Sequence, residues 1–424
     1  MRLRSVYYGW TIAGTLALTE TVSWGVLYYA FAVFLVPMQE DLGWSQAAIT
    51  GAFSLALLVS GALAPLVGRW LDRYGPRLLM TVGSSVGAAL ILVWASVENL
   101  WAFYLVWAGI GAAMAATLYE PAFAVVARWF ERGRNRALLL ITFAAGFAST
   151  IFLPLSGWLV EAQGWREALV TLAIMLAVLT IAPHALVLRR RPEDLGLRPD
   201  GANVQEAKEA SETKSVPLGV ALRGTTLWLL SVTFFLGTLS QVAIGVHLIP
   251  YLGERGYGLT SAAFLTGCIG AAQVLGRVLV TFLGSRLPRE AVTTGVFGLQ
   301  AAALVVLLVW QSPLGLWAFV VAFGAASGAA TLTRASLIAE LYGIADYGSI
   351  GGVVAMFTVG ARAVAPVGIS ALYLILGGYV PALWTMVAGS ALAAVFVFLA
   401  QRARPDKGSA GRRARPEEGP TTAR

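Results

Sequence analysis

Six charged or titratable side chains within long apolar stretches of this sequence are candidates for function. They are Glu20, Glu120, His247, Arg277, Arg334 and Arg362; His184, near the end of another stretch, is assigned no role. An arginine presents a planar fork that binds a carboxylate through two hydrogen bonds, whereas a glutamate or a histidine takes up and releases a proton. A charge within an apolar stretch costs several kcal/mol unless it is paired or hydrated, so each position is predicted to be functional.

Arg277 is the first candidate for binding an anion. It lies nine residues before Arg286 in the following polar segment, which is roughly 13 Å along a helix. Half of a bilayer's hydrocarbon core is about 15 Å thick, so Arg277 is predicted to lie near the midplane. Gln273, one turn away, would face the same side and hold a second substrate oxygen. The alternative is that Glu20 or Glu120 pairs with Arg277 and steadies a helix bundle.

Arg362 would supply a second cation, and two tyrosines would supply hydrogen bonds. Arg362 would either contact the substrate or form a structural ion pair, for example with Asp72. Tyr119 and Tyr28 would each donate a hydroxyl hydrogen bond to the substrate. The alternative for both tyrosines is a role in aromatic packing.

Glu20 is a candidate for carrying a proton. On a helix it shares one face with Trp24, Leu27 and Phe31, so it would be the one polar member of a stripe that lines a cavity. Burial disfavours the charged form of a carboxylate, which suits a proton carrier. A salt bridge with an arginine of the other half of the chain is an equal alternative.

Glu120, Arg334 and His247 complete the set of candidates. Glu120 and Arg334 are 214 residues apart, an offset that recurs elsewhere in the chain, so the two are predicted to form an ion pair rather than to transport a proton directly. His247 titrates near neutral pH and precedes Pro250. It would carry the coupling proton or be a hydrogen-bonded histidine at a helix end.

The composition indicates that membrane helices position these groups. Of the 424 residues, 58% are hydrophobic and 12% are charged, with a mean hydropathy of +0.74, against about 25% charged residues in a soluble domain. The net charge of +8 comes from arginines in loops and tails rather than from a nucleic-acid surface. Cys268 is the only cysteine, so no disulfide or cysteine metal site is expected within the chain. The first apolar run, about 30 residues long, exceeds the apolar region of a cleavable signal peptide.

Twelve apolar stretches are long enough to cross a bilayer, so we predict an all-α protein with twelve transmembrane helices. They are 7–37, 45–67, 78–97, 100–127, 137–160, 168–188, 225–252, 261–283, 291–310, 314–339, 349–376 and 380–400. The predicted domains are a six-helix bundle (1–188), a linker (189–223), a second six-helix bundle (224–401) and a disordered tail (402–424). Arginine-rich loops lie on one side, which predicts that the linker, the tail and both termini are cytoplasmic.

The two halves carry an internal repeat. Thr117-Leu118 recurs as Thr331-Leu332, and Phe143 with Gly146 recurs as Phe357 with Gly360. Gly164 with Ala168-Leu169 recurs as Gly378 with Ala382-Leu383, and all three pairs share the offset of 214. The repeat predicts two pseudo-symmetric bundles.

The segment between the second and third stretches carries a recognisable motif. It reads GRWLDRYGPR from Gly68 to Arg77, and Gly68, Asp72, Arg73, Gly75 and Arg77 match the signature loop of the major facilitator superfamily. This resemblance implies two six-helix bundles and alternating access, with Asp72 latching the halves together in one access state. It places spans 1, 4, 7 and 10 around a central cavity, flanked by spans 8 and 11. The alternative is a positively charged reversal loop with no switching role.

Four further segments resemble bacterial monocarboxylate and oxalate:formate transporters. They are residues 28–45, reading YYAFAVFLVPMQEDLGWS, residues 128–138, residues 190–201, and residues 246–256, which begin VHLIPYL. The resemblance implies that an arginine on helix 8, here Arg277, binds the substrate carboxylate. It also implies a cation on helix 11, a lysine in oxalate:formate transporters and Arg362 here.

We therefore predict a secondary transporter of small organic anions, mono- or dicarboxylates, in a bacterial plasma membrane. Its partners would be the bilayer, the anion, and a proton or counter-anion, and the superfamily resemblance implies a monomer. No phosphate loop, metal-ligand cluster or enzyme-sized soluble domain occurs in the sequence, so no cofactor, metal or enzymatic activity is predicted. The alternatives are proton-coupled efflux of hydrophobic or cationic compounds through Glu20 and Glu120, and a transporter-like membrane sensor.

Overall fold

Twelve membrane spans form the protein, as the sequence predicts. The structure, a computed structural model, describes residues 7–201, 217–283, 286, 288–342 and 347–403. Within these residues twelve spans are long and apolar enough to cross a bilayer: Tyr8–Leu42, Gln46–Leu71, Pro76–Ala95, Leu100–Trp129, Arg136–Gln163, Trp165–Val187, Thr225–Gly253, Leu259–Val280, Glu290–Val309, Pro313–Arg334, Ile350–Leu376 and Tyr379–Arg402. We number them spans 1–12 and call spans 1–6 the first half and spans 7–12 the second half.

Several spans consist of two helices. The helices of the first half are α1 (Tyr8–Ser23), α2 (Phe31–Leu42), α3 (Gln46–Tyr74), α4 (Pro76–Ala95), α5 (Leu100–Thr117), α6 (Tyr119–Trp129), α7 (Arg134–Ala145), α8 (Ala148–Gln163), α9 (Trp165–Leu176) and α10 (Ala182–Val187). A short helix, α11 (Leu218–Arg223), precedes those of the second half, which are α12 (Thr225–Gly253), α13 (Leu259–Leu283), α14 (Arg289–Val309), α15 (Pro313–Tyr342), α16 (Tyr347–Leu376) and α17 (Tyr379–Arg402).

The local sequence explains where helices begin and where the chain reverses direction between them. Ser45 caps α3 by accepting a hydrogen bond from the Ala48 backbone, and Asn99 caps α5 in the same way. Gly75, at φ +82°, joins α3 directly to α4, whose first residue is Pro76. Glycine tolerates this left-handed backbone and proline favours the first helical position, so the pair makes a tight reversal.

Spans 1, 4, 5 and 6 of the first half are interrupted near their middle, span 5 between Ala145 and Ala148 and span 6 by a π-helix at Ala177–Ile181. In span 1 a π-helix, Trp24–Tyr29, separates α1 from α2. In span 4 the helix stops at Leu118, which has an extended backbone, and α6 starts again at Tyr119. Such interruptions are concentrated at functional sites in membrane proteins, where non-helical backbone is tolerated only when it is buried in protein or lines a cavity.

Spans 2 and 5 of the first half pack against spans 11 and 8 of the second. At the first contact the hydroxyls of Thr50 and Ser370 lie 2.9 Å apart. At the second, the Thr150 hydroxyl donates to the Gly267 carbonyl at 2.8 Å, and Gly270 packs so closely on Ser149 that a Cβ atom there would lie 2.1 Å from its hydroxyl. Small residues thus let the two halves approach closely.

The described contacts between the halves are concentrated at one face of the membrane. We call the side with Arg69, Arg73, Arg77 and Arg128 the arginine-rich face and the opposite side the arginine-poor face. The described contacts between α8 and α13 lie toward the arginine-poor face, whereas α7, the other half of span 5, packs on α1 of its own half. Among the described residues the halves are therefore joined toward the arginine-poor face.

The first part of the predicted linker is folded onto the first half. The Asp200 carboxylate accepts hydrogen bonds from the backbone N–H groups of Glu131, Arg132 and Gly133, which lie between spans 4 and 5. The side chain of Arg190 packs against Gly75. Residues 189–201 therefore bridge two loops rather than forming a free linker. Residues 202–216 and the tail from residue 404 lie outside the described residues.

Candidate functional site

Four aromatic side chains form one wall of the space between the halves. The Trp24 ring packs against Tyr28 and Tyr119 with centroids 5.1 and 4.9 Å apart, and Tyr28 packs edge-on against Tyr29 at 5.1 Å. All four residues are half-buried. Spans 1 and 4 therefore present an aromatic surface with three phenolic hydroxyls, which we call the aromatic wall.

The interruptions of spans 1 and 4 create this wall. Neighbouring residues of an α-helix point about 100° apart, yet Tyr28 and Tyr29 are in ring contact and both pack on Trp24. The π-helix at Trp24–Tyr29 makes this possible. It also changes the predicted face of Glu20: Leu27 and Phe31 do not line the cavity but are buried in the first half, where Phe31 stacks on Phe53. That part of the sequence prediction is wrong.

Arg362 lies opposite the aromatic wall, in the middle of α16. It is half-buried and interacts electrostatically with Tyr28, Tyr29 and Tyr119. Its guanidinium makes no hydrogen bond or ion pair in the part of the chain that the structure describes. Its guanidinium thus offers two parallel N–H donors near three phenols, with no anion paired to it among the described residues.

Arg277 lies near the same wall but is already engaged. Its guanidinium donates to the backbone carbonyl of Thr142 in the first half at 3.2 Å, and it interacts electrostatically with Tyr29 and Tyr119. It is half-buried within the last two turns of α13, toward the arginine-rich face. Gln273, one turn earlier, is also half-buried and makes no hydrogen bond to the described residues through its amide. Substrate contact by either residue stays a prediction.

Glu20 is fully buried, with 0% of its surface exposed, and neither carboxylate oxygen has a hydrogen-bond partner. The Ser23 hydroxyl and the Trp24 indole N–H, both on the next turn, are buried as well, and the indole lies near the Glu20 carboxylate without a hydrogen bond of standard geometry. The Glu120 carboxylate acts electrostatically on Glu20. A buried carboxylate without a paired cation is costly to hold in the charged form.

Glu120 is in the first turn of α6, where the helix dipole favours a negative charge. It is exposed to the space between the halves. Arg334 donates to the hydroxyl of Thr358 at 3.3 Å. Among the described side chains no salt bridge joins Glu120 to Arg334, so the predicted ion pair is absent from this conformation.

His247 lies at the closed, arginine-poor side of the contact between the halves. Its Nε2 donates to the Pro366 carbonyl at 2.8 Å, so its Nδ1 is the acceptor. Nδ1 lies 3.2 Å from the Gln46 amide nitrogen and 3.1 Å from the Tyr379 hydroxyl, and Gln46 also bonds to Tyr379. Because Gln46 belongs to the first half and the other three residues to the second, this buried cluster holds the two halves together. It matches the hydrogen-bonded alternative for His247.

The predicted switch loop is held by neighbours within the first half. Arg128 donates to the Leu71 carbonyl at the end of α3, at 2.6 Å, and Arg77 donates to the Ala185 carbonyl at 2.5 Å. The Arg73 guanidinium lies 5.4 Å from the ring of Tyr74. The Asp72 side chain lies outside the described side chains, so its role as a latch stays a prediction.

Several residues of the aromatic wall and of the contact between the halves are not predicted from the sequence. Tyr29 gives no signal by spacing, because only the π-helix turns it toward Tyr28. Gln46, Thr50, Ser370 and Tyr379 are ordinary polar residues near the ends of apolar stretches. Their only available signal is that a polar side chain within a span needs a partner.

The comparisons with known proteins agree with this architecture. The chain is 27% identical over 339 residues to Monocarboxylate transporter 13 of Bos taurus, an alignment covering 79% of this chain and 76% of the relative. It is 26% identical over 285 residues to the Oxalate:formate antiporter of Oxalobacter formigenes, covering 65% of this chain and 63% of that protein.

The fold matches a solved structure of a bacterial homologue of the human lysosomal transporter Spinster in an inward-facing, unoccupied conformation. The TM-score is 0.74 at 15% identity, and the superposition covers 95% of this chain and 99% of that one. The family model described as Major Facilitator Superfamily matches residues 16–366. With twelve spans in the fold of a transporter and a family match over most of its length, this chain belongs to the Major Facilitator Superfamily.

Proposed function

We propose that this protein is a secondary transporter of small organic anions, mono- or dicarboxylates, working by alternating access. The observation that carries the proposal is the unpaired guanidinium of Arg362, which faces the hydroxyls of the aromatic wall between the two halves. A carboxylate there would receive two hydrogen bonds from Arg362 and further ones from Tyr28, Tyr29 or Tyr119. Two relatives whose names specify monocarboxylate and oxalate with formate support the same class of substrate.

Arg277 would act on the same substrate as a second cation. Its bond to the Thr142 carbonyl links the two halves. A backbone carbonyl is a weaker partner for a guanidinium than a carboxylate. An entering anion would therefore compete for Arg277, and a dicarboxylate would engage both arginines while a monocarboxylate engages Arg362.

Glu20 would couple transport to a proton. Its buried, unpartnered carboxylate lies one turn from Trp24 in the aromatic wall, so protonation and substrate binding would occur in adjacent space. Exchange for a second anion, without a proton, is the other coupling mode. We place the protein as a monomer in a bacterial plasma membrane with its arginine-rich face and both termini in the cytoplasm, since arginine-rich loops face the cytoplasm.

Uptake of labelled lactate, pyruvate, oxalate and formate into proteoliposomes tests this proposal. The wild type and Arg277→Ala are compared with and without a pH gradient. Uptake of an acid by the wild type that falls in the variant supports a carboxylate carrier. If no acid moves while a lipophilic cation does, the carboxylate proposal is wrong.

Alternating access requires the closed, arginine-poor side to open. Thr50 and Ser370 lie on opposite halves with their hydroxyls 2.9 Å apart, so cysteines at these positions are close enough for a disulfide. With Cys268 replaced by serine to remove the native thiol, Thr50→Cys with Ser370→Cys should lose nearly all uptake on oxidation and regain it on reduction. Each single cysteine variant is the control. Undiminished uptake with the disulfide fully formed would show that this contact does not need to open.

A second candidate function is proton-coupled efflux of hydrophobic or cationic compounds. It is favoured by the pairing of the buried Glu20 carboxylate with the aromatic surface of Trp24 and Tyr119, which would suit an apolar cation. Two arginines facing the same space, Arg277 and Arg362, repel such a cation and favour the anion. The lipophilic cation in the uptake assay distinguishes the two functions.

A further inference from the structure

A second polar cavity lies away from the space between the halves. It has a volume of about 480 Å³ and lies on the second half at the arginine-poor face, where spans 7 and 9 end and span 10 begins. It is lined by Tyr251, Leu252, Arg255, Tyr257, Leu307, Trp310, Gln311, Ser312 and Leu316. We call it the Arg255 pocket. None of its lining residues is acidic.

Arg255 is a cation without an anion. Its guanidinium lies over the ring of Tyr251, 4.7 Å from the centroid, and makes no hydrogen bond or ion pair with the described residues. The neighbouring carboxylate, Glu254, is turned toward span 11, where it accepts a hydrogen bond from the Tyr373 hydroxyl at 2.8 Å. The pocket thus keeps its positive charge although an acid is next to it in sequence.

Arg166, the other arginine on this face, has a structural role and serves as a comparison for Arg255. Arg166 also lies over an aromatic ring, that of Trp165, 4.3 Å from its centroid. It forms a salt bridge with Asp41 at 3.2 Å and donates to the carbonyls of Ala95 and Val97. Arg166 therefore has its partners within the protein, whereas Arg255 has only the ring. An arginine left unpaired on the face that carries few arginines is suited to an external anion.

The remaining polar atoms of the pocket are mainly donors. The indole N–H of Trp310 and the hydroxyl of Tyr257 make no hydrogen bond to the described residues. The Ser312 hydroxyl accepts from the Gly315 backbone at 3.2 Å, which leaves its own hydrogen to donate. An oxyanion with several acceptor oxygens, such as a phosphate diester, would use these donors together with the guanidinium.

The surroundings of the pocket are apolar and face the bilayer. Its walls include Leu252, Leu307 and Leu316. At its rim Val309 and Leu314 are each 66% exposed and Trp310 is 48% exposed. Exposed apolar residues and a tryptophan at the end of a membrane span are typical of the interface between the hydrocarbon core and the headgroups. The ligand would therefore combine an anionic head with acyl chains.

We propose that the Arg255 pocket binds the headgroup of an anionic phospholipid from the leaflet at the arginine-poor face, with the phosphate on the guanidinium of Arg255. The proposal is independent of the transported substrate. Binding of phosphatidylglycerol and phosphatidylcholine to the purified full chain in detergent is measured by native mass spectrometry for the wild type and Arg255→Gln. We expect affinity for phosphatidylglycerol to fall about fivefold in the variant, as one arginine near an anionic headgroup contributes. Affinity for phosphatidylcholine, whose choline cation offsets the charge of its phosphate, should fall by less.

Arg402→Gln is the matched control, because Arg402 also lies over a ring, that of Phe398 at 4.3 Å, but outside the pocket. It should bind phosphatidylglycerol as the wild type does. If Arg255→Gln does not fold, Arg255→Lys keeps the charge and should retain the preference for phosphatidylglycerol. Equal binding by the wild type and Arg255→Gln, or loss of the preference in Arg255→Lys, overturns the proposal. Competition by millimolar glycerol 3-phosphate as effective as the lipid also overturns it, because the pocket would then bind a soluble phosphate ester.

Discussion

Arg362→Gln is expected to reduce carboxylate uptake at least about 30-fold at substrate concentrations below saturation. The substitution removes the charge and the parallel N–H donors while leaving a polar side chain of similar reach. Losing one partner of a desolvated, hydrogen-bonded charge pair costs about 2 kcal/mol or more, and 2 kcal/mol corresponds to about 30-fold in affinity. Because Arg362 makes no hydrogen bond or ion pair with the described residues, its replacement breaks none of these. The measurement is initial uptake of the labelled acid into proteoliposomes.

Arg362→Lys and Arg402→Gln are the controls for this prediction. The lysine keeps the charge without the fork, so it should retain part of the uptake. Arg402→Gln removes one charge at the end of α17, far along the chain from the site, and should transport normally. If Arg362→Gln takes up the acid as fast as the wild type does, Arg362 is not the carboxylate site and Arg277 becomes the main candidate.

The sequence predicts the architecture well because bilayer thickness constrains it. A span must be apolar over about 20 residues and its backbone must be helical, so hydropathy alone locates twelve spans. The Gly75–Pro76 reversal is equally readable, since a positive φ and a first helical position select these two residues. The twelve spans and this reversal can therefore be predicted without knowing any tertiary contact.

The chemistry of the site is less predictable because it depends on departures from regular helix. A period of 3.6 residues places Glu20 on the face of Leu27 and Phe31, but the π-helix after Ser23 changes the register and buries both. The same departure brings Tyr29 to the wall. Likewise, the repeat predicts that Glu120 and Arg334 are equivalent, yet span 4 breaks at Leu118 while α15 continues through Leu332. Pseudo-symmetry in sequence does not fix local backbone geometry.

The conformation explains a further limit of sequence reasoning. An ion pair or latch that forms in one access state need not exist in another, so a single sequence cannot say which partners coexist. Among the described residues, the hydrogen bonds between the halves are those of Gln46, Thr50, Thr150, Glu161 and Arg277. Glu120 and Arg334 form no salt bridge with each other in this state. Their predicted pairing would belong to another access state.

Glu20→Gln is expected to abolish accumulation driven by a pH gradient while leaving exchange of label for unlabelled acid intact. The amide has the size of a protonated carboxyl but cannot release a proton, so the buried site stays neutral and packed. One pH unit is equivalent to 1.36 kcal/mol per proton, which supports about tenfold accumulation of an acid carried with one proton. The variant should therefore fall from about tenfold accumulation to none, measured as the steady-state ratio of internal to external label.

Measuring both label exchange and gradient-driven accumulation shows whether Glu20 couples transport to a proton or only stabilises the structure. A structural role for Glu20 would lower both activities, whereas a proton carrier affects accumulation alone. Glu167→Gln, in the exposed first turn of α9, is the matched control and should behave as the wild type. If Glu20→Gln still accumulates acid in response to the gradient, the proton travels elsewhere, and Glu120 and His247 are the next candidates. If the wild type itself ignores the gradient but exchanges label, the carrier is an anion exchanger, and the buried carboxyl of Glu20 serves packing within the first half.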